Sequence, residues 1–164
     1  MFQVGDKVVY PMYGAGIIEA IEEHEVLGET EMYYVIHLPF GDLRMMIPVE
    51  RAEDTRLRDV VDPAGVQRVL TILEGDRSKI VKNWNTRFRL NMEKLKSGSP
   101  YKVAEVVRDL SAREQNEGLS GREQKCLDQA RKILGSELIL ATGYTEERVK
   151  TLLDQTLGVE QLDQ

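Results

Sequence analysis

One segment of the sequence combines an aromatic ring with a run of positive charge. Trp84 is the single tryptophan, and residues 77–96 around it hold seven basic side chains against one acidic one, Glu93. A flat apolar ring can fill the gap left when a base step unstacks, and lysine and arginine neutralise backbone phosphates without reading sequence. The candidates for DNA contact are Trp84, Asn83, Lys79, Lys82, Arg87 and Arg89.

The same residues also fit an ordinary helical protein. Trp84, Phe88, Met92 and Leu95 recur at helical spacing, which is the pattern of a buried stripe. Asn83 is equally suited to cap a helix, and most runs of basic residues are solvated faces. The near absence of acidic neighbours favours phosphate contact over a solvated face.

Charge is unevenly distributed along the chain. The net charge is −6, and residues 1–52 alone hold nine acidic residues against three basic ones. The net charge argues against a protein that coats nucleic acid indiscriminately. An acidic first part and one basic segment indicate two different partners.

Catalytic and metal-binding patterns are weak. His24 and His37 have no second histidine or cysteine at ligand spacing, and no nucleophile is paired with a base. We expect no enzyme activity, no metal, no cofactor and no small-molecule substrate. The single cysteine, Cys126, excludes an internal disulfide, fits a reducing compartment and is expected in the core.

Residues 1–52 show the pattern of short strands separated by turns. Alternation along residues 32–38 puts Tyr34, Ile36 and Leu38 on one face. Strands are predicted at residues 7–10, 17–21, 32–38 and 43–49, and the turn at 39–42 precedes the last of them. Short strands in about fifty residues favour a small barrel over an open sheet.

The second half is predicted to be helical. Cap residues precede stretches of helix formers at Asp62, Ser99, Ser120 and Thr145, and Gly158 ends the last stretch. Apolar stripes between these caps are too short for a coiled coil and predict a compact bundle. The expected class is α+β, with a β barrel at residues 1–52 and an all-α bundle at residues 53–164.

The amino-acid sequence contains no recognisable signal peptide and no stretch that could span a membrane. Charge at Asp6 and Lys7 interrupts the first residues before an apolar segment of signal-peptide length, and no later stretch approaches the length needed to span a membrane. We therefore expect a cytoplasmic protein without a membrane partner.

Several motifs, in order, resemble one known family. The segment VGDKVVYPMYGAG at residues 4–16 resembles the opening of the CarD family, which the polymerase-binding domain of the transcription-repair coupling factor shares. The strings NW at 83–84, NMEKL at 91–95, VAEVVRDL at 103–110 and GLS at 118–120 resemble the helical domain of CarD proteins. No phosphate-binding GxxxxGK[ST] loop of a helicase motor is present, so the stand-alone regulator is the better match.

The resemblance implies a Tudor-like β domain that binds the β subunit of bacterial RNA polymerase. Strand 43–48 is the candidate edge that extends the partner's sheet. The implied polymerase contacts are His24, Arg44, Met46, Ile47 and Pro48. Family members carry basic side chains near His24 and Met46, so we expect the electrostatic part of this docking to be weaker here.

For the helical domain, the resemblance implies contact with promoter DNA at the upstream edge of the melted bubble. Trp84 would pack into a distorted minor groove and lengthen the lifetime of the open complex. Phosphate contacts do not specify a site, so the regulator would act at many promoters and associate with the nucleoid through the polymerase.

Two other hypotheses remain open at this point. A stand-alone architectural DNA-binding protein is possible, although the acidic first part would repel phosphates. The other is a peptide-binding Tudor-like adaptor with no role in nucleic-acid binding. Aromatic side chains that could line a cage for a methylated lysine, but that core packing of a small barrel explains at least as well, are Tyr10, Tyr13, Tyr33, Tyr34 and Phe40.

Overall fold

The computed structural model describes residues 1–52 and 54–159. Within these ranges an antiparallel sheet of five strands is followed by five α-helices, which confirms the predicted α+β class. The strands are β1 (Lys7–Tyr10), β2 (Gly14–Val26), β3 (Glu29–Leu38), β4 (Leu43–Pro48) and β5 (Arg58–Asp59). The helices are α1 (Pro63–Glu74), α2 (Trp84–Lys96), α3 (Pro100–Asn116), α4 (Gly121–Thr142) and α5 (Glu146–Leu157).

The sheet has the order β4-β3-β2-β1-β5 and curls around its own core. The predicted alternation in β3 is confirmed, because Tyr34, Ile36 and Leu38 are all buried. Ile47 of the edge strand β4 and Leu57 next to β5 pack into this same core. Both ends of the sheet therefore close over one set of apolar side chains.

Strand β5 lies beyond the boundary expected at residue 52. Arg58 and Asp59 pair with Val9 and Val8 of β1, and Leu57 is buried in the core of the sheet. A strand of two residues has too little pattern to be recognised in a sequence. We propose residues 1–61 as the β domain, since that range includes all five strands.

The helices begin at the predicted caps. The side chains of Asp62, Ser99, Ser120 and Thr145 each accept a bond from the backbone N–H three residues later. Gly158 ends α5 in the left-handed conformation, with φ of 71°. None of the helices in the described ranges is long and apolar enough to cross a membrane.

The five helices enclose one apolar core. Val69, Val106, Ala130 and Leu138 in this core are fully buried. Cys126 is also there, as predicted, and burial raises the pKa of its thiol to about 11. The thiol is therefore protonated at neutral pH and is a packing group.

Helix α4 packs directly against the sheet. Val9 and Ala15 of the sheet share a small buried cluster with Leu140 of α4. The Ala15 N–H donates to Oγ of Ser136 at 2.8 Å. A Cβ at Gly14 would lie 2.6 Å from the same Oγ, so this close approach of strand and helix requires glycine.

A buried carboxylate joins the sheet, the linker of residues 60–62 between β5 and α1, and α4. Glu137 is 2% exposed and accepts two bonds from the Arg58 guanidinium, at 2.8 and 2.7 Å. The same carboxylate accepts the Val61 N–H at 2.9 Å, and Nε of Arg58 donates to the carbonyl of Gly98 at 2.7 Å. Two side chains thus connect β5, the start of the linker, the α2–α3 turn and α4.

Removal of the Glu137 carboxylate should lower the stability of the fold. Glu137→Ala leaves the Arg58 guanidinium and the Val61 N–H without their acceptor, and we expect a loss of about 3–5 kcal/mol in the free energy of unfolding. Urea denaturation measures it. Glu93→Ala is the matched control, because Glu93 pairs with Arg89 on an exposed surface and should cost at most about 1 kcal/mol. Equal losses in the two variants would contradict the role given to Glu137.

Candidate functional site

Trp84 lies at the first position of α2 and outside the helical core. Its side chain is half-buried and stacks on Phe88, with ring centres 6.0 Å apart and planes 13° apart. In the described part of the chain Phe88 packs against the helical core, whereas Trp84 does not. One side of Phe88 thus supports the indole, which projects past the core at the beginning of α2.

Arg122 lies beside this pair of rings. Its guanidinium carbon is 5.7 Å from the ring centre of Trp84 and 5.0 Å from that of Phe88. Arg122 is exposed and has no acidic partner among the described residues. The arrangement places an unpaired positive charge beside an aromatic ring that is only partly buried, a combination suited to nucleic-acid contact.

The residues before α2 divide into a cap and two free lysines. Oδ1 of Asn83 accepts the Thr86 N–H at 3.0 Å, so Asn83 is the N-cap of α2. Lys79 and Lys82 are exposed, and neither forms an ion pair within the described ranges. Their charges are available to an anionic partner near Trp84.

Arg87 is held inside the helical domain. Its guanidinium donates to both oxygens of Glu123, at 3.1 Å each, and to the carbonyl of Val81 at 3.0 Å. Glu123 is 3% exposed and also lies 3.4 Å from Nε of Arg113. The donors of Arg87 are directed at protein acceptors, so we leave Arg87 out of the proposed DNA surface.

Arg89 lies on another side of α2. Five residues of helix separate it from Trp84, which corresponds to a rotation of about 140°. Its guanidinium is exposed and pairs with Glu93 at 3.2 Å. The structure therefore does not bring Arg89 together with Trp84, Lys82 and Arg122.

The predicted edge strand is an edge of the sheet. Among the described strands β4 pairs with β3 alone, and Arg44, Met46 and Pro48 alternate on the face opposite the core. Met46 is 49% exposed, whereas Ile47 is 3% exposed and points into the core. Ile47 could contribute only backbone groups to a partner, in contrast to its two neighbours.

Two side chains on this outer face are held by local partners. Nε of Arg44 donates to Glu19 at 3.0 Å, and this bond raises the pKa of Arg44. His24 is on the same face by strand register, 2.9 Å from Glu22 and edge-on to the Tyr33 ring. Both basic side chains, Arg44 and His24, thus have carboxylate neighbours, which reduces the net positive field of this face.

The aromatic residues of the β domain do not converge on one cage. Tyr34 is buried and contacts Phe2, while Tyr10 and Tyr13 contact each other at 4.9 Å. Tyr33 lies beside His24 on the opposite face of the sheet from Tyr34. Within residues 1–52 and 54–159, no group of three or more His, Cys, Asp or Glu side chains is placed to hold a metal ion.

Arg122 is the residue of this surface that the sequence did not indicate. It lies 38 positions after Trp84, in the first turn of a helix whose start at Ser120 was predicted. The cap locates the beginning of α4 along the chain but gives no information on which helix that end approaches.

Comparison with known proteins agrees with this architecture. Residues 2–61 match the CarD-like/TRCF RID domain, and residues 68–154 match the CarD C-terminal domain. The chain is 40% identical over 151 residues to "Putative transcription factor YdeB" of Bacillus subtilis (strain 168), an alignment that covers 92% of this chain and 99% of that protein. The first match identifies the sheet as the Tudor-like type. The chain therefore belongs to the CarD family of transcription factors.

Proposed function

We propose that this protein binds the β subunit of RNA polymerase through β4 and stabilises the promoter open complex through the surface around Trp84. The observation that carries the proposal is the position of Trp84, partly buried at the start of α2 with the guanidinium carbon of Arg122 5.7 Å from its ring centre. A ring held in this way can act as an apolar wedge where bases unstack, and the neighbouring cations can bind phosphates on both sides.

The DNA end of the proposal rests on three free cations. Lys79, Lys82 and Arg122 are exposed and lack ion-pair partners in the described part of the chain. Such contacts hold a protein in register on DNA without specifying sequence. The N-terminus of α2 adds a partial positive charge at the same place.

The polymerase end rests on the free edge of β4. A strand that joins this edge gains main-chain hydrogen bonds, and the outward side chains of Met46 and Pro48 select the partner. The β domain is acidic, and its exposed carboxylates disfavour DNA on that side. This distribution supports a bridging regulator over a stand-alone architectural protein.

The wedge can be separated from the core by mutation. Trp84→Ala should leave the melting temperature almost unchanged and shorten the open-complex lifetime about tenfold, since base–aromatic stacking contributes roughly 1–3 kcal/mol. Thermal unfolding and filter-binding decay of the polymerase–promoter complex measure the two effects. Phe88→Ala is the comparison, because Phe88 supports the core and its loss should lower stability by up to about 3 kcal/mol. A large drop in melting temperature for Trp84→Ala would mean that the indole stabilises the fold and would contradict the wedge.

The phosphate contacts predict a distinct salt dependence. Arg122→Ala or Lys82→Ala should each reduce the slope of log K against log salt by roughly 0.9, equally on different promoter sequences. Fluorescence anisotropy of forked DNA across a series of KCl concentrations measures the slope. Arg89→Ala should leave the slope unchanged because its guanidinium lies on another side of α2. A changed sequence preference with a constant slope would mean that these residues read bases.

The polymerase contact can be tested with two methionines of similar exposure. Met46 on β4 is 49% exposed and Met32 on β3 is 44% exposed. Met46→Asp should weaken binding of the full chain to polymerase about tenfold or more, because the partner would then cover a charged side chain in place of an apolar one. Met32→Asp should leave affinity unchanged. Biolayer interferometry with immobilised polymerase compares them, and an equal loss in both would remove β4 from the interface.

A further inference from the structure

A cleft in the helical domain has the size of a small ring compound. Its volume is about 130 Å³, and it lies between the segment 77–82 and the helices α2 and α3. Its apolar wall consists of Ile80, Val81, Leu90 and Leu110. A cavity of about 150 Å³ with an apolar lining holds one benzene ring in another protein. The cleft therefore has room for one six-membered ring between apolar side chains, and the rest of a larger ring system would extend along the exposed Ile80 at its rim.

One amide side chain in this cleft has no hydrogen-bond partner among the described residues. The amide of Asn91 is half-buried and makes no side-chain bond with the described residues. Arg113 also lines the cleft, but its guanidinium donates to Glu117 at 3.0 Å and its Nε lies 3.4 Å from Glu123, so its charge is paired within the protein. The Asn91 amide is therefore free to pair with a ligand that carries both a hydrogen-bond donor and an acceptor.

The mouth of the cleft offers one free positive charge. Lys79 lines the cleft and has no ion-pair partner within the described ranges. The other cations there are neutralised, with Arg77 bound to Glu117 and Lys94 to Glu105. The adjoining Ile80 is 48% exposed, which adds apolar surface at the same rim. One phosphate group at the mouth is the anion that this single unpaired charge fits.

We propose that the cleft binds a nucleotide, with the base between the apolar walls, its edge on the Asn91 amide and its phosphate at Lys79. An asparagine amide can form paired hydrogen bonds with the edge of a base, adenine above all. Asn91 lies two turns after Trp84 on the same side of α2, about 10 Å along the axis. The nucleotide is either an unpaired one in the promoter strand, a source that rests on the proposed function, or a free mononucleotide.

The first experiment uses the full-length protein alone. Isothermal titration with adenosine 5′-monophosphate tests the free ligand, and ribose 5-phosphate tests whether the base is required. Asn91→Leu and Lys79→Ala should each weaken binding about tenfold. Lys79→Ala changes an exposed, unpaired side chain, so its effect does not depend on folding. Lys102→Ala, an exposed lysine outside the cleft, should bind like the natural protein.

The second experiment uses forked DNA with one unpaired adenosine, or with an abasic site at the same position. If the strand supplies the nucleotide, the natural protein should prefer the base about tenfold and Asn91→Leu should lose that preference. Trp84→Ala should weaken both DNAs and keep the preference. If the natural protein prefers the base while Trp84→Ala leaves binding to both DNAs unchanged, the result supports the cleft and counts against the wedge.

The two experiments together decide the proposal. Base-dependent binding in either one, lost in Asn91→Leu, supports the site and identifies the source of the nucleotide. The absence of base-dependent binding in both, or binding that Asn91→Leu and Lys79→Ala leave unchanged, overturns it.

Discussion

The buried carboxylate of Glu137 determines how the two halves of the molecule are arranged. A carboxylate taken out of water is unfavourable unless it is paired and fully hydrogen-bonded, and here Arg58 and the Val61 N–H meet that requirement. Because the donors come from β5 and the linker, satisfying this group fixes helix α4 on the sheet. The close contact of Gly14 with Ser136 follows from the same placement.

A second buried carboxylate organises the other end of α4. Glu123 holds the guanidinium of Arg87 and lies next to that of Arg113, so two of the positive charges in the helical domain are directed inward. The charges left on the surface near Trp84 are those of Lys79, Lys82 and Arg122. The acidic β domain packs against the other end of α4, so charge is unevenly distributed along the molecule.

Local signals in the sequence predicted most of the elements. Caps such as Asp62 and Ser120 act on their own helix, and the alternation in β3 reports its own two faces, so both can be recognised without knowledge of the fold. Features that depend on distant partners were not predictable in this way. Strand β5 exists through its pairing with β1, and the inward orientation of Arg87 depends on Glu123, 36 residues later. The same reasoning applies to the position of Arg122 beside Trp84.

The length of helix α4 sets the distance between its contact with Trp84 and its contact with the sheet. Arg122 in its first turn contacts the tryptophan, and Ser136 near its other end is bonded to the sheet, with about 21 Å of helix axis between them. A single inserted residue within this stretch would shift one end by about 1.5 Å and rotate it by about 100°, which would turn Arg122 away from the tryptophan. The number of residues between Arg122 and Ser136 is therefore constrained by geometry. The identity of the exposed side chains along the same stretch is not constrained in this way.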